Sequence, residues 1–140
     1  MASKTYLTHL ANIPLLSSCS QRELQRVAKA ADEVEVAEGT TIIEQDKLAR
    51  EAFVIVSGTA EVLRDGVKVA VVGPGECVGE MALLDHQPRT ASVVALEPMT
   101  LLVISSQAFT ALLDDAPTMT RKLLQNLAAR LRELDSRLTS

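Results

Sequence analysis

Residues 78–93 read Val-Gly-Glu-Met-Ala-Leu-Leu-Asp-His-Gln-Pro-Arg-Thr-Ala-Ser-Val, and the rest of the chain is organised around them. This segment places a glycine, an acid, a short apolar run and an Arg-Thr pair in one loop-and-turn stretch. β-rich sequence lies before it and after it. Such a segment predicts a site for a small anion that also carries hydroxyl groups, with the surrounding strands as its scaffold.

The residue types in this segment indicate which ligand would fit. Gly79 precedes one helical turn or slightly more, and the first amides of a helix have no internal partner and attract phosphate. Arg89 can add a planar, charge-assisted fork to the same phosphate. Glu80 suits a ligand that also has a sugar hydroxyl, which a carboxylate accepts strongly, and Thr90 adds a hydroxyl of its own. Together these residues indicate a phosphorylated sugar, and hence a nucleotide.

Each of these residues also has a simpler explanation. Arg89 could be a solvated surface charge, Glu80 a favourable acid in a first helical turn, and Thr90 the start of a strand. Gly79 could simply avoid backbone strain in a turn. The order and spacing of the whole set, rather than any single member, favour the ligand site.

Composition narrows the class of protein. The chain has 140 residues, of which 47% are hydrophobic and 23% charged, as in one soluble globular domain. A net charge of −4 argues against nucleic acid as a partner, because phosphate backbones need a basic face. No apolar run approaches the roughly 18 residues of a membrane span, and no signal peptide is recognisable. Cys19 and Cys77 lack metal-ligand spacing, so we expect no metal and a cytoplasmic protein with reduced thiols.

The apolar periodicity changes twice along the chain. Ser20 and Glu23 form a capping box that predicts the start of a helix. Short β-type segments follow, and Asp65-Gly66 predicts a two-residue hairpin turn. Strands of this length with short loops predict an antiparallel sandwich or barrel. The strand candidates are residues 34–36, 40–43, 52–56, 59–63, 67–72, 91–96 and 100–104.

Helical periodicity returns after Ser105, and Pro117 suits the first turn of a long final helix. The leucines of this helix are spaced 3, 4, 3 and 4 residues apart: Leu124, Leu127, Leu131, Leu134 and Leu138. This short heptad seam predicts either packing against the chain's own barrel or a parallel homodimer. The dimer is favoured, because the pattern extends beyond what one small barrel could cover.

The central segment resembles a known motif. Residues 79–84, followed by residues 88–93, are similar to the phosphate-binding cassette of cyclic nucleotide-binding domains, the catabolite activator protein-like β-rolls. The resemblance covers almost the whole chain. It extends to the hairpin turn, the closing helices and the loop glycines Gly58, Gly73 and Gly75.

The resemblance implies a mainly β fold with flanking helices. The expected architecture is an antiparallel eight-stranded β-roll, a jelly-roll-like double-stranded barrel, with N-terminal helices and two C-terminal helices. We expect one domain over residues 1–140. Its parts would be an N-terminal helical part (1–32), the β-roll (33–105) with its cassette (78–93), and the C-terminal helices (106–140).

The resemblance also implies roles for individual residues. Glu80 would hold the ribose 2′-hydroxyl, and Arg89 would pair with the exocyclic oxygens of the cyclic phosphate. Thr90 is similar to members that accept cGMP, but it also occurs in cAMP-binding members, so the ligand would be cAMP or cGMP. Backbone amides would complete the phosphate site near Gly79, Met81, Ala82 and Ala91.

Two positions depart from the family pattern. The cassette usually begins with an aromatic residue, whereas this chain has Val78, which we expect to pack inward. The family also caps the base from its last helix. The candidates at that place are Arg132, Leu134 and Asp135.

Two functional hypotheses follow. The first is a free-standing sensor of cAMP or cGMP that signals through its final helices to an unknown effector protein. It would lack the helix-turn-helix of related transcription factors, because the sequence ends at Ser140. The second is a ligand-free dimeric adaptor with the same fold. An enzyme is not expected, because His9 and His86 are isolated and no general base pair or metal set accompanies them.

Overall fold

The computed structural model describes residues 3–139, and their side chains as far as residue 137. Within these residues, eight strands form two four-stranded sheets in which all neighbours pair antiparallel. The strands are β1 (Ala31–Val36), β2 (Thr41–Ile43), β3 (Glu51–Ser57), β4 (Ala60–Arg64), β5 (Val67–Val72), β6 (Cys77–Val78), β7 (Ser92–Ala95) and β8 (Met99–Ser105). One sheet has the order β1-β8-β3-β6 and the other β2-β7-β4-β5. This confirms the predicted antiparallel β-roll.

Helices flank the two sheets on the N-terminal and C-terminal sides. They are α1 (Lys4–Ala11), α2 (Gln21–Ala30), α3 (Glu80–Asp85), α4 (Ser106–Asp115) and α5 (Pro117–Thr139), with a 3-10 helix at Pro14–Leu16. The last element contains the predicted leucine seam. Among the described residues, no helix combines the length and the apolar character needed to cross a membrane.

Strand β3 is buried on both faces over residues 52–55, which explains the continuous apolar run in that strand. Ala52 and Val54 belong to a core shared with the helices, whereas Phe53 and Ile55 belong to the core between the sheets. Successive side chains of a strand point to opposite faces, so one strand serves both cores. The helices are therefore packed directly against the barrel wall that carries the cassette strand β6.

The capping box and the hairpin turn that the sequence predicts are both present in the structure. The Ser20 side chain accepts a hydrogen bond from the Glu23 amide, and the Glu23 side chain accepts one from the Ser20 amide, which completes the capping box of α2. Asp65 and Gly66 both have positive φ, at 54° and 79°, as a two-residue hairpin turn between β4 and β5 requires. This hairpin forms one side of the cavity described below.

The structure also departs from the predicted boundaries. Strand β1 begins at Ala31, inside the segment expected to be helical (1–32), because helix α2 ends at Ala30. The two-residue strand β6 was not predicted, since two residues are too few to show an alternating pattern. It is held by pairing of Cys77 and Val78 with β3. Val78 is buried, which confirms the expectation that it packs inward.

Candidate ligand-binding site

A cavity of about 600 Å³ opens between the β4–β5 hairpin, the cassette and helix α5. This volume lies within the usual range for small-molecule sites. Apolar side chains of Ile43, Val62 and Val71 line one side. Cassette residues line another, and the C-terminal half of α5 supplies charged residues. The cavity thus offers an apolar wall for a flat group and polar groups for an anion and hydroxyls.

Arg89 is buried and held at the cavity by two backbone carbonyls. Its Nη1 donates to the Gly79 carbonyl at 2.5 Å, and its Nη2 donates to the Glu51 carbonyl at 2.5 Å. Burial lowers the pKa of Arg89, and the nearby Glu51 and Glu80 carboxylates oppose that shift. A guanidinium has more N–H donors than these two bonds use, so a fixed cation remains available to an anion.

Gly79 allows Arg89 to come this close. The glycine has φ of 84°, a left-handed conformation that side chains rarely adopt, and it is the N-cap of α3. A Cβ at this position would collide with Nη1 of Arg89 and would lie 3.0 Å from Ile43. The same residue therefore sets the turn into α3 and leaves the first amides of that helix uncovered.

Glu80 is a buried carboxylate, only 2% exposed, at the floor of the same cavity. Burial raises the pKa of Glu80. A hydrogen bond from its own backbone amide, the positive charge of Arg130 and a hydrogen bond from the Cys77 thiol oppose that shift. Ionised buried carboxylates need such partners, because desolvation without them is costly.

Arg130 on α5 forms an ion pair with Glu80, a contact that the sequence does not predict. Its Nη1 lies 3.4 Å from Oε1 of Glu80, and its Nη2 lies 3.4 Å from the Cys77 carbonyl and 3.8 Å from Oε1 of Glu76. Fifty positions separate Arg130 and Glu80 in sequence. Only the packing of α5 over the barrel brings the two residues together, so no local sequence motif predicts the contact.

Cys77 is buried and Cys19 is half-buried, and neither has the surroundings of a reactive thiolate. Burial raises the pKa of Cys77 well above its ordinary value, and the nearby Glu80 charge adds to this shift. Burial also raises the pKa of Cys19, to about 11. Both thiols are free, and both are poor candidates for thiolate chemistry.

The structure brings the predicted cassette residues together at one place. All of them line the cavity: Gly79, Glu80, Met81, Ala82, Arg89, Thr90 and Ala91. The Thr90 carbonyl also accepts a hydrogen bond from Nε of Arg64, at 3.3 Å, which ties the cassette to the hairpin. Their roles toward a ligand stay predictions.

The α5 residues at the cavity are not the predicted base-cap residues, whose contact with a base stays a prediction. The side chains of α5 that line the cavity are Arg130, Glu133 and Arg137, not the predicted Arg132, Leu134 and Asp135. Positions three and four residues apart share one face of a helix, so the face that begins with Arg130 continues through Glu133 and Arg137. The ion pair of Arg130 with Glu80 fixes which face that is.

The predicted dimer seam is exposed along most of its described length. Leu124, Leu131 and Leu134 are 60%, 68% and 54% exposed. Leu127 instead packs partly against the helical core. The Leu138 side chain lies outside the described part of the structure. Exposed leucines at this spacing are consistent with a partner helix, and no partner is part of the structure.

A second cavity, of about 390 Å³, lies between α3, α4 and the loop before β3, and Ala82 lines both cavities. His86 lines it, together with Arg50 and Gln107. Across residues 3–139, no group of His, Cys, Asp and Glu side chains has the arrangement of a metal site. The two buried charged residues, Arg89 and Glu80, line the larger cavity.

Comparison with known proteins agrees with this geometry. The family described as "Cyclic nucleotide-binding domain" matches residues 33–116. The Pycsar effector protein XpPycTIR of Xanthomonas perforans is 36% identical over 121 residues, which cover 86% of this chain and 40% of that protein. The cAMP-dependent protein kinase regulatory subunit of Aspergillus niger is 31% identical over 121 residues, covering 85% of this chain and 29% of that protein. The chain thus spans less than half the length of these curated relatives.

A solved structure supports the fold independently. The catabolite activator protein of Thermus thermophilus superposes with a TM-score of 0.78 at 32% sequence identity. The match covers 90% of this chain and 62% of that one. The β-roll and its flanking helices are therefore shared with a protein of known architecture.

Replacing Glu80 by glutamine should stabilise the ligand-free protein at neutral pH. The pKa of Glu80 is raised by burial, so the folded state holds more protons than the unfolded chain between the ordinary and the folded pKa. The free energy of unfolding therefore falls as the pH rises through that window, because Glu80 has to ionise while it is buried. Glu80→Gln avoids this loss. Chemical unfolding of E80Q and wild type across the acid range measures the difference.

The stability difference should shrink as the pH falls below the folded pKa of Glu80, where both proteins carry a neutral group. Glu38→Gln, at an exposed position, is the matched control and should change stability little at any pH. An E80Q protein less stable than wild type at neutral pH would contradict the expected destabilising effect of the buried charge.

Proposed function

Because the chain belongs to the cyclic nucleotide-binding domain family, we propose that it binds a 3′,5′-cyclic nucleotide, cAMP or cGMP, as a regulatory ligand. One observation carries the proposal: buried Arg89 and buried Glu80 line the same cavity. Arg89 could pair with a phosphate, and Glu80 could accept a hydrogen bond from a hydroxyl. A cyclic nucleotide presents both groups on one rigid ring system.

The phosphate would lie against Arg89 and the start of α3. Arg89 is already anchored by two carbonyls, so little side-chain freedom is lost when it pairs with the exocyclic oxygens. The first-turn amides near Gly79, Met81 and Ala82 would donate to the same oxygens. A lysine could not keep both carbonyl bonds and still present a flat fork to the ligand.

The ribose 2′-hydroxyl would donate to Glu80. Oε1 of this carboxylate faces Arg130, and the two oxygens of a carboxylate together have lone pairs for a further donor such as the ribose hydroxyl. Arg130 helps to keep the carboxylate ionised, and an ionised carboxylate is the stronger hydrogen-bond acceptor. Arg130 would thus support ribose binding without touching the sugar itself.

The base would occupy the part of the cavity between the apolar strand wall and α5. Val62 and Val71 offer a surface against which a flat ring can pack, and Thr90 lies at the cassette edge. Glu133 and Arg137 from α5 are the polar groups near the rim. Both adenine and guanine have donors and acceptors that such groups could satisfy, so both nucleotides are proposed ligands.

The proposed role is regulatory rather than catalytic. The contact between Arg130 and Glu80 links the ligand site to α5, so occupancy of the cavity would alter how that helix packs. The helix would then signal to an effector protein whose identity is unknown. A reducing compartment such as the cytoplasm suits the two free cysteines.

Replacing Arg89 by alanine should weaken cyclic nucleotide binding by at least about tenfold. A hydrogen bond to a charged group contributes about 1.5–3 kcal/mol, and the phosphate would lose the charged fork. Arg89→Lys should bind with intermediate affinity, because it keeps the charge but not the geometry. Isothermal titration calorimetry with cAMP and with cGMP measures both variants.

The control for this experiment is Arg26→Ala, which removes an exposed arginine from α2 and should leave the affinity unchanged. Failure of the wild-type protein to bind either nucleotide at millimolar concentration would refute the proposed function. Equal affinities for R89A and wild type would refute the proposed phosphate site.

A second candidate function is a ligand-free adaptor that dimerises through α5. The exposed leucines Leu124, Leu131 and Leu134 favour it, because a lone domain gains nothing from a seam of apolar side chains in water. The occupant of this surface would be a second copy of the chain, joined in parallel. Such a dimer is also compatible with the sensor function.

Replacing Leu131 by aspartate should convert the dimer to a monomer, since a charge would be buried in the seam. Sedimentation equilibrium of L131D and wild type measures the mass. Gln125→Asp adds the same charge at an exposed neighbouring position and should leave the dimer intact. A wild-type protein that sediments as a monomer, with or without nucleotide, would exclude the seam.

A further inference from the structure

Glu23 joins two helices that are far apart in sequence. Its side chain is only 8% exposed, and it belongs to the capping box at the start of α2. The same carboxylate also reaches the start of α5: Oε2 accepts from the Thr118 amide at 2.7 Å, and Oε1 accepts from the Thr118 hydroxyl at 2.8 Å. One carboxylate therefore caps both helices.

The second cap is unusual because it comes from another element. The first amides of a helix lack partners within the helix, and Pro117, at the start of α5, has no N–H to offer. Glu23 brings a negative charge to the positive end of α5, where it is favourable. Burial raises the pKa of Glu23, but the hydrogen bonds from Ser20 and Thr118 outweigh it and hold the pKa below its ordinary value.

The start of α5 is also the part of the helix that is fixed to the core. Met119 and Leu123 are buried, whereas Leu124 and the later described leucines other than Leu127 are exposed. Arg130 lies about 18 Å further along the axis, at ~1.5 Å per residue. A tilt of about 10° at Thr118 would therefore move Arg130 by about 3 Å, enough to break its contact with Glu80.

We propose that Glu23 is a positioning residue for the nucleotide site, acting through Thr118 to fix the direction of α5 so that Arg130 meets Glu80. This inference rests on the proposed function, because its consequence is nucleotide affinity. Helix α2 then influences, through α5, how well the cavity binds its ligand. A merely structural Glu23 would change stability and leave affinity alone.

Replacing Glu23 by glutamine should weaken cyclic nucleotide binding by about tenfold, because an amide cannot accept all of the hydrogen bonds that the carboxylate accepts. Thr118→Val removes only the hydroxyl bond and should weaken binding about threefold. Thr118→Ser retains the hydroxyl and should bind the nucleotide with the affinity of the wild type. Glu97→Gln is the matched control, because Glu97 also accepts from a threonine hydroxyl, that of Thr59, but at a barrel turn.

Calorimetry with the same nucleotide on each folded variant measures these affinities, and a thermal melt confirms that each variant is folded. Combining E23Q with Arg130→Gln tests whether Glu23 acts through Arg130. If it does, the double variant should bind the nucleotide no more weakly than R130Q alone. Unchanged affinity in both E23Q and T118V would overturn the proposal. Fully multiplicative losses in the double variant would overturn the route through Arg130.

A ligand-free measurement separates this inference from the proposed function. Spin labels at Lys68→Cys and Arg132→Cys, in a Cys19→Ser background, report the distance between the β5 strand and α5. E23Q should broaden or shift that distance distribution, and E97Q should not. If no cyclic nucleotide binds to wild type, the proposed function fails, while this distance still decides the positioning role. An unchanged distribution in E23Q would overturn it.

Discussion

The proposed ligand site depends on one physical constraint: Glu80 has to hold its negative charge where almost no water reaches it. Burial favours its neutral form, and Arg130, the Cys77 thiol and its own backbone amide oppose that tendency. A neutral carboxylic acid would be a weaker acceptor for a sugar hydroxyl. The ion pair with Arg130 therefore connects the chemistry of the cavity to the position of a distant helix.

The positive charge at the cavity, that of Arg89, is held in place by backbone carbonyls. Arg89 is fixed by the Gly79 and Glu51 carbonyls, and Gly79 has no side chain to interfere. Both charged groups are thus held by the fold before any ligand arrives. A preorganised pair of this kind loses little entropy on binding. Helix α5 is held in turn by its apolar contacts with the core and by two carboxylates, Glu23 at its start and Glu80 at Arg130.

Features encoded within a few residues could be predicted from the sequence. The capping box of Ser20 and Glu23, the Asp65-Gly66 turn and the cassette with Arg89 all depend on neighbouring positions. Contacts between distant segments could not be predicted. Arg130 reaches Glu80, and Glu23 reaches Thr118, only because α5 packs across the barrel. The family resemblance predicts the base cap only by position, at Arg132, Leu134 and Asp135, and the sequence does not reveal that another face of α5 lines the cavity.

The most direct test is an NMR titration of the ¹⁵N-labelled protein with cAMP and, separately, with cGMP. If Glu80 and Arg89 hold a cyclic nucleotide as proposed, at least one of the two should shift the amide signals of Gly79, Met81, Ala82 and Ala91 and the side-chain Nε signal of Arg89. The same titration should move signals in α5 near Arg130. Cassette signals that remain unchanged at millimolar concentrations of both nucleotides would contradict the central claim.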